Sequence, residues 1–107
     1  MIADQLNEIT LIYHSGKEGD ENVRNYVETM GFDIKVIDLN SQKLNEEQLR
    51  EIVYMLEVQI ADLFDPAYAG HLQISTIREA VSLLTSNPKL LATPIIIIGE
   101  HAYQFEY

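Results

Sequence analysis

At 107 residues the chain suits one hydrophobic core, so we predict a single domain over residues 1–107. Its formal net charge of −10, from 17 acidic and 7 basic side chains, repels phosphate backbones and anionic lipid, so we expect no nucleic-acid or membrane partner. The sequence contains no cysteine, which excludes disulfides, thiolate zinc sites and thiol nucleophiles.

Residues 1–7 are predicted to form a lead-in without regular structure. They have no basic start and no apolar core segment, so they do not resemble a signal peptide, and we expect a cytoplasmic protein. No apolar run in the chain approaches the roughly 20 residues that a membrane helix needs.

The first two predicted elements are a strand and a helix joined by a polar loop. Glu8–Tyr13 is an apolar, β-branched run between polar residues, which predicts a strand. Gly16 lies in the loop, and Gly31 suits the positive φ of a helix C-terminal cap. Between them the spacing i, i+3, i+4, i+7 predicts a helix whose apolar stripe faces the core. The members of that stripe are Val23, Tyr26, Val27 and Met30.

A second strand is predicted from the alternating run Phe32–Val36, extended by Ile37. Two strands joined by a helical crossover are expected to be parallel, with a right-handed connection.

A helical segment follows the second strand. Asn45 and Gln48 have the spacing of a capping box, which predicts a helix start. The helix stripe consists of Leu49, Ile52, Val53 and Leu56. A further short helix is predicted from Ile60, Leu63 and Phe64, ending at Asp65-Pro66. Residues 68–71 are predicted to form a loop.

The last helix is predicted to begin after Ser75 or Thr76 and to stop near Asn87-Pro88. Its core-facing residues are expected to be Ile77, Ala80, Val81 and Leu84. Four consecutive isoleucines after Pro94 predict a strand buried on both faces. Gly99-Glu100 suits a two-residue hairpin turn, so residues 101–107 are predicted to form the edge strand.

The segment from Asn87 to Glu100, together with Tyr13-His14 and the helix after them, resembles the arsenate reductase (ArsC) and Spx branch of the thioredoxin-like superfamily. In that branch Asn-Pro-x-Leu-(Ile/Leu)-x-x-Pro precedes an apolar strand and carries a cis-proline facing the active site. The resemblance implies a thioredoxin-like α/β fold with three α/β/α layers around a four-stranded mixed sheet. Its order would be β-α-β, a helical insertion and a β-hairpin, with a cis bond at Thr93–Pro94.

The family's catalytic loop reads Tyr-(His/Thr)-(Asn/Ser)-Pro-x-Cys, at a helix start that lowers the cysteine pKa and binds an oxyanion. Here Tyr13, His14 and Ser15 match, Gly16 replaces the proline, and the cysteine position falls at Lys17 or Glu18. With no thiol we expect no catalytic residue, and no arsenate reduction with glutathione and glutaredoxin.

Charge also argues against an oxyanion substrate. Glu18, Asp20 and Glu21 cluster at the predicted helix start, and Thr93 occupies the position of the family's usual arginine. We therefore predict a catalytically inactive module that binds a protein partner, as an extended peptide would bind a thioredoxin-like fold. The predicted groove consists of His14, Ser15, Gly16, Lys17, Glu18, Thr93 and Pro94.

Two other functions remain open at this point. His14 could act as a general base with Glu18 or Asp20, although a strand-end histidine beside solvated acids is the simpler interpretation. An Spx-like regulator that docks on RNA polymerase is also compatible with the acidic surface. His71 and His101 lack ligand spacing around them, so we expect no metal site, and no cofactor. The sequence does not identify the partner or an oligomeric state.

Overall fold

The computed structural model describes residues 8–31, 33–70 and 72–105. In chain order its elements are β1 (Glu8–Tyr13), α1 (Glu18–Glu28), β2 (Asp33–Asp38), α2 (Glu46–Leu56), a 3-10 helix (Ile60–Leu63), α3 (Pro66–Ala69), α4 (Ile77–Ser86), a second 3-10 helix (Pro88–Leu90), β3 (Ile95–Ile98) and β4 (His101–Gln104). The predictions for residues 1–7, Phe32, His71 and residues 106–107 lie outside the described residues.

The described chain divides into two compact units. Residues 8–42 with 93–105 form the sheet unit, and residues 43–92 form the helical unit. The single domain over residues 1–107 stays a prediction. None of the described helices is both long and apolar enough to cross a membrane.

The sheet unit contains a four-stranded mixed sheet in the order β2-β1-β3-β4. β1 and β2 are parallel, with Ile9 opposite Ile34, as predicted for a β-α-β crossover. β3 runs antiparallel to β1 and also to β4, so the predicted hairpin is confirmed. Gly99 opens the hairpin turn with a φ of +61°, a conformation that L side chains rarely adopt.

The predicted burial of the isoleucine strand on both faces is correct only for its first half. Ile95 and Ile96 are buried, whereas Ile97 and Ile98 are partly exposed. Ile98 pairs with the exposed His101 of the short edge strand, so little covers this end of β3.

One face of the sheet packs against α1. Its buried cluster comprises Ile9, Leu11, Tyr13, Val27 and Ile96, with Val23, Ile34, Val36 and Ile98 partly buried around it. The prediction that Tyr26 and Met30 join this core is wrong, since they are 69% and 47% exposed. Val23 and Val27 lie one above the other and face the sheet, while Tyr26 lies on the neighbouring edge of α1 and Met30 follows the end of the helix at Glu28.

The helical unit matches the predicted helix starts and most of the predicted core. The capping box is present, since the Asn45 side chain accepts from the Gln48 N–H and the Gln48 side chain accepts from the Asn45 N–H. Thr76, not Ser75, caps α4 by accepting from the Glu79 N–H at 3.1 Å. α2 and α4 pack against each other. Their buried residues are Leu49, Ile52, Val53, Leu56, Ala80, Val81 and Leu84.

Two details of the helical unit differ from the predictions. Ile77 is exposed, because it is the first residue of α4 and the buried part of the helix begins only at Ala80. Residues 66–69 form the one-turn helix α3, part of which was predicted to be a loop. Asp65 caps this turn by accepting from the Ala67 N–H at 2.9 Å, and Pro66 occupies the first helical position, where proline is well tolerated.

Candidate functional site

The candidate site begins with the short loop between β1 and α1. β1 ends at Tyr13 and α1 begins at Glu18. Gly16 has a φ of +91°, and Lys17 is the extended N-cap residue, whose side chain makes no capping hydrogen bond. The loop therefore lies at the start of a helix, as the family resemblance implied.

Asp20 ties this loop to the segment before β3. Its side chain is fully buried, at 0% exposure. One carboxylate oxygen, Oδ2, accepts from the His14 backbone N–H at 3.0 Å and from the Thr93 hydroxyl at 2.5 Å. The interpretation of Asp20 as part of a solvated acidic cluster is therefore wrong, while Glu18 is exposed as expected.

The position of Asp20 in α1 explains how a carboxylate can be buried here. It is the third residue of the helix, and helical side chains point back toward the N-terminus. The positive end of the helix dipole stabilises a carboxylate there, and hydrogen bonds to the charge offset the loss of water. This role cannot be recognised from the sequence, because an acid in the first turn of a helix is typical of exposed positions as well.

The predicted groove residues differ strongly in their accessibility. His14 and Thr93 are 4% and 8% exposed, and Pro94 is fully buried. Ser15 and Lys17 are partly exposed, whereas Gly16 and Glu18 are exposed. The accessible part of the predicted groove is thus the loop of residues 15–18. The Thr93–Pro94 peptide bond is cis, as predicted.

Asp38, at the end of β2, holds the same loop from its other side. Its Oδ1 accepts from the backbone N–H groups of Ser15 at 3.1 Å and Asn40 at 3.0 Å. The Asn40 side-chain amide also donates to the Ser15 hydroxyl at 3.0 Å. Partial burial alone would raise the pKa of Asp38, but the hydrogen bonds from Asn40, Ser15 and Ser41 together lower it below its ordinary value.

Arg24 is the nearest arginine in sequence to the loop, and it already has partners. Its Nη1 donates to the Tyr13 hydroxyl, and its guanidinium carbon lies 5.3 Å from the centre of the Tyr13 ring. Its Nε donates to Glu28 at 2.9 Å, and this hydrogen bond raises the pKa of Arg24. Arg24 therefore braces α1 against β1.

The structure brings no metal-ligand cluster together in residues 8–31, 33–70 and 72–105. No group of three or more His, Asp or Glu side chains in these ranges could hold a metal ion. His101 is exposed on β4, where its ring lies 6.5 Å from that of Tyr103.

An open apolar groove runs along α1 beside the loop, with a volume of about 800 Å³. We call it the α1 groove. Its wall is formed by Val23 and Tyr26 of α1 and by Met30 just after the helix, and its floor by Ile98 and Tyr103 of the sheet and by Phe105 just after β4. Lys17 and Glu18 lie at its loop end. The groove cannot be recognised from the sequence, because the apolar stripe of α1 predicts a closed core.

Neither a family model nor a curated protein sequence matches this chain. Solved structures do. An ArsC family-related protein from Bacteroides fragilis superposes with a TM-score of 0.79 at 12% identity, covering 92% of this chain and 90% of its own. An arsenate reductase from Vibrio cholerae gives 0.78 at 13% identity, covering 91% and 88%. An arsenate reductase (ArsC) related protein from Brucella melitensis gives 0.68 at 14% identity, covering 94% and 88%.

The chain has an arsenate reductase-like thioredoxin fold. This confirms the α/β fold class and the four-stranded mixed sheet predicted from the sequence. The agreement extends over nearly the whole length of the ArsC-like structures, although the sequences share few identical residues. The same fold in this chain contains no cysteine anywhere in its 107 residues.

Proposed function

We propose that this chain is a catalytically inactive, arsenate reductase-like protein that binds another protein through the loop of residues 15–18 beside Thr93 and Pro94. The observation that carries the proposal is an arsenate reductase-like fold that lacks a cysteine nucleophile. A loop still leads from β1 into the start of a helix and a cis-proline still precedes β3, but the sequence has no cysteine.

The hydrogen bonds of the site support binding over oxyanion chemistry. An arsenate or sulfate ion needs donors that are free to hold its oxygens. The His14 N–H and the Thr93 hydroxyl both donate to Asp20, and Arg24 donates to Tyr13 and Glu28. A buried carboxylate thus takes up donors that an oxyanion would otherwise use, and its negative charge would repel that ion.

Burial of His14 argues against acid–base or metal-assisted hydrolysis as a second function. A general base must come within hydrogen-bond reach of the proton that it removes. The His14 side chain is 4% exposed, whereas the carboxylate of its suggested partner Glu18 is exposed. A substrate that contacts Glu18 therefore has little access to the His14 ring.

The charge of the chain favours a basic partner surface. The formal net charge is −10, and Glu18 presents one exposed carboxylate at the loop itself. Complementary charge increases association rates and selects between partners. An Spx-like contact with RNA polymerase would be one form of such binding.

Affinity capture from the native source, with Glu18→Arg as the test variant, examines this proposal. We expect the variant to lose the partners of the unmodified protein. Glu46→Arg is the matched control, because Glu46 is likewise an exposed first residue of an eleven-residue helix, and it should retain them. Retention of every partner by Glu18→Arg would contradict the proposal, and RNA polymerase among the lost partners would identify the Spx-like form.

An activity assay tests the other half of the proposal. Purified protein with arsenate, glutathione and glutaredoxin should give no turnover above a buffer control, since the protein itself supplies no thiolate to form the arsenic–sulfur bond. Reproducible turnover would show that the protein is an enzyme after all.

A further inference from the structure

The α1 groove marks a sheet face that is only half covered within the sheet unit. α1 packs on β1, and its core cluster extends to Ile34 and Val36 of β2. On the β3–β4 side, Tyr103 and Phe105 remain 51% and 46% exposed. Tyr103 lies directly opposite Ile96 in the β3–β4 ladder, and Ile96 belongs to the buried cluster under α1. The exposed apolar surface therefore adjoins the core on the same face of the sheet.

We propose that the α1 groove binds an amphipathic α-helix with a basic polar face, supplied by the partner protein. The inference rests on the proposed function, since it gives the chemistry of the partner and adds a surface next to the loop. Lys17 and Glu18 belong both to that loop and to the end of the groove.

The floor of the groove favours a helix over an extended segment. β3 is paired with β1 on one side and β4 on the other, so its backbone groups are used within the sheet. β4 is the edge strand, but its unpaired backbone groups point sideways in the plane of the sheet and not into the groove above its face. A segment lying across this face must therefore satisfy its own backbone N–H and C=O groups, which an α-helix does. α1 itself has 11 residues, and a partner helix of about three turns would match its length.

Charge distinguishes a basic partner from two other occupants. A second copy of this chain would bring another net charge of −10 to the same surface, and self-repulsion opposes that contact. A fatty-acid-like anion meets the same repulsion. A helix with lysine or arginine on its polar face would instead be attracted to the whole acidic surface, while its leucine-like residues cover Tyr26 and Tyr103.

The test uses the full-length protein and a labelled synthetic peptide of about three to four helical turns, with leucines at i, i+3, i+4 and i+7 and lysines elsewhere. We expect binding by fluorescence anisotropy that weakens as salt is raised. A peptide with the same leucines but glutamates elsewhere should not bind. A lysine–leucine peptide of identical composition with alternating leucines should bind at least about tenfold more weakly, because it presents no helical stripe.

Tyr26→Ala and Tyr54→Ala form a matched pair of protein variants. Both tyrosines lie on eleven-residue helices and are nearly equally exposed, at 69% and 68%, but Tyr54 is on α2. We expect Tyr26→Ala to weaken binding of the basic peptide about tenfold, as for an aromatic residue at an interface. Tyr54→Ala should change it by less than about twofold.

Four outcomes would overturn the inference. They are equal loss of binding in both variants, equal binding of the acidic peptide, saturation by dodecanoate without peptide binding, and a dimer that Tyr26→Ala dissociates. Each would leave the proposed function intact if Glu18→Arg still loses the native partner while Glu46→Arg retains it. The opposite result is also informative. If the peptide binds in a way that depends on Tyr26, but Glu18→Arg retains every native partner, only the role of the loop of residues 15–18 in partner binding is contradicted.

Discussion

Helices α1 and α2 each have 11 residues and the same predicted apolar spacing, yet the stripe of α2 is buried and that of α1 is mostly not. All four stripe residues of α2 are buried. Of the four residues predicted for the α1 stripe only Val27 is buried, whereas Tyr26 is largely exposed and Met30, just beyond the helix end, is about half exposed. An apolar stripe therefore indicates that a helix can be buried along one side, but a neighbour must be present for that burial to occur.

The neighbours account for the difference. α2 packs against α4, which supplies buried residues of its own. α1 rests on one part of a sheet face, and its start is fixed by the hydrogen bonds of Asp20. α2 is thus stabilised along its side, whereas α1 depends strongly on contacts at one end, and its free edge forms the α1 groove.

The largest expected effect is a loss of stability that differs between the apolar stripes of α2 and α1. Leu49→Ala on α2 removes a side chain that is 1% exposed, and we expect it to lower the free energy of unfolding by about 3 kcal/mol. Met30→Ala, beside α1, should lower it by less than about 1 kcal/mol, because this side chain is already half in water. Urea unfolding measures both, and equal losses would show that the α1 stripe is buried in solution.

A smaller effect is expected where α1 is held at its start. Asp20→Ala leaves the His14 N–H and the Thr93 hydroxyl without their buried acceptor, which should lower the free energy of unfolding by about 2 kcal/mol. Asp20→Asn keeps an oxygen for both donors and should lose less. Glu18→Ala, an exposed acid in the same turn, is the control, with a change within about 0.5 kcal/mol. If the control and Asp20→Ala were alike, the end of α1 would not depend on this carboxylate.

The smallest effect is the pH dependence of the stability that Asp38 contributes by its hydrogen bond to the loop at Ser15. The folded pKa of Asp38 is lowered from 3.8, so its ionised form contributes stability above that value, and the contribution is lost as pH falls through the folded pKa. Asp38→Asn should therefore be less stable than the unmodified protein at neutral pH, with the difference shrinking below about pH 4. Asp33→Asn removes one exposed charge from the same strand and is the control. A difference that grows as pH falls would contradict the assigned direction.

The parts of the fold that follow from neighbouring residues were predictable from the sequence. The Asn45–Gln48 capping box, the Thr76 cap and the Gly99 turn each depend on a few adjacent residues. The parallel β1–β2 pair followed from the helical crossover that joins the two strands.

The parts that depend on distant residues were not predictable in the same way. Asp20 and Thr93 are 73 positions apart, and nothing in the first turn of α1 indicates that its acid meets a hydroxyl there. The exposure of Tyr26 depends on what the sheet unit places above β3 and β4, which no local pattern of α1 contains. The location of the candidate site was thus predicted through the family resemblance, but its buried carboxylate and its adjoining groove were found only in the structure.

Gly16 constrains any attempt to introduce redox chemistry into this protein. The family's loop has proline at this position, and proline fixes φ near about −65°, whereas Gly16 has a φ of +91°. Placing a cysteine at Lys17 or Glu18 would therefore add a sulfur to a loop of different shape, and adding the proline would require a new backbone path. Single substitutions therefore do not convert this loop into the reductase form, which requires the loop to be remodelled as a whole.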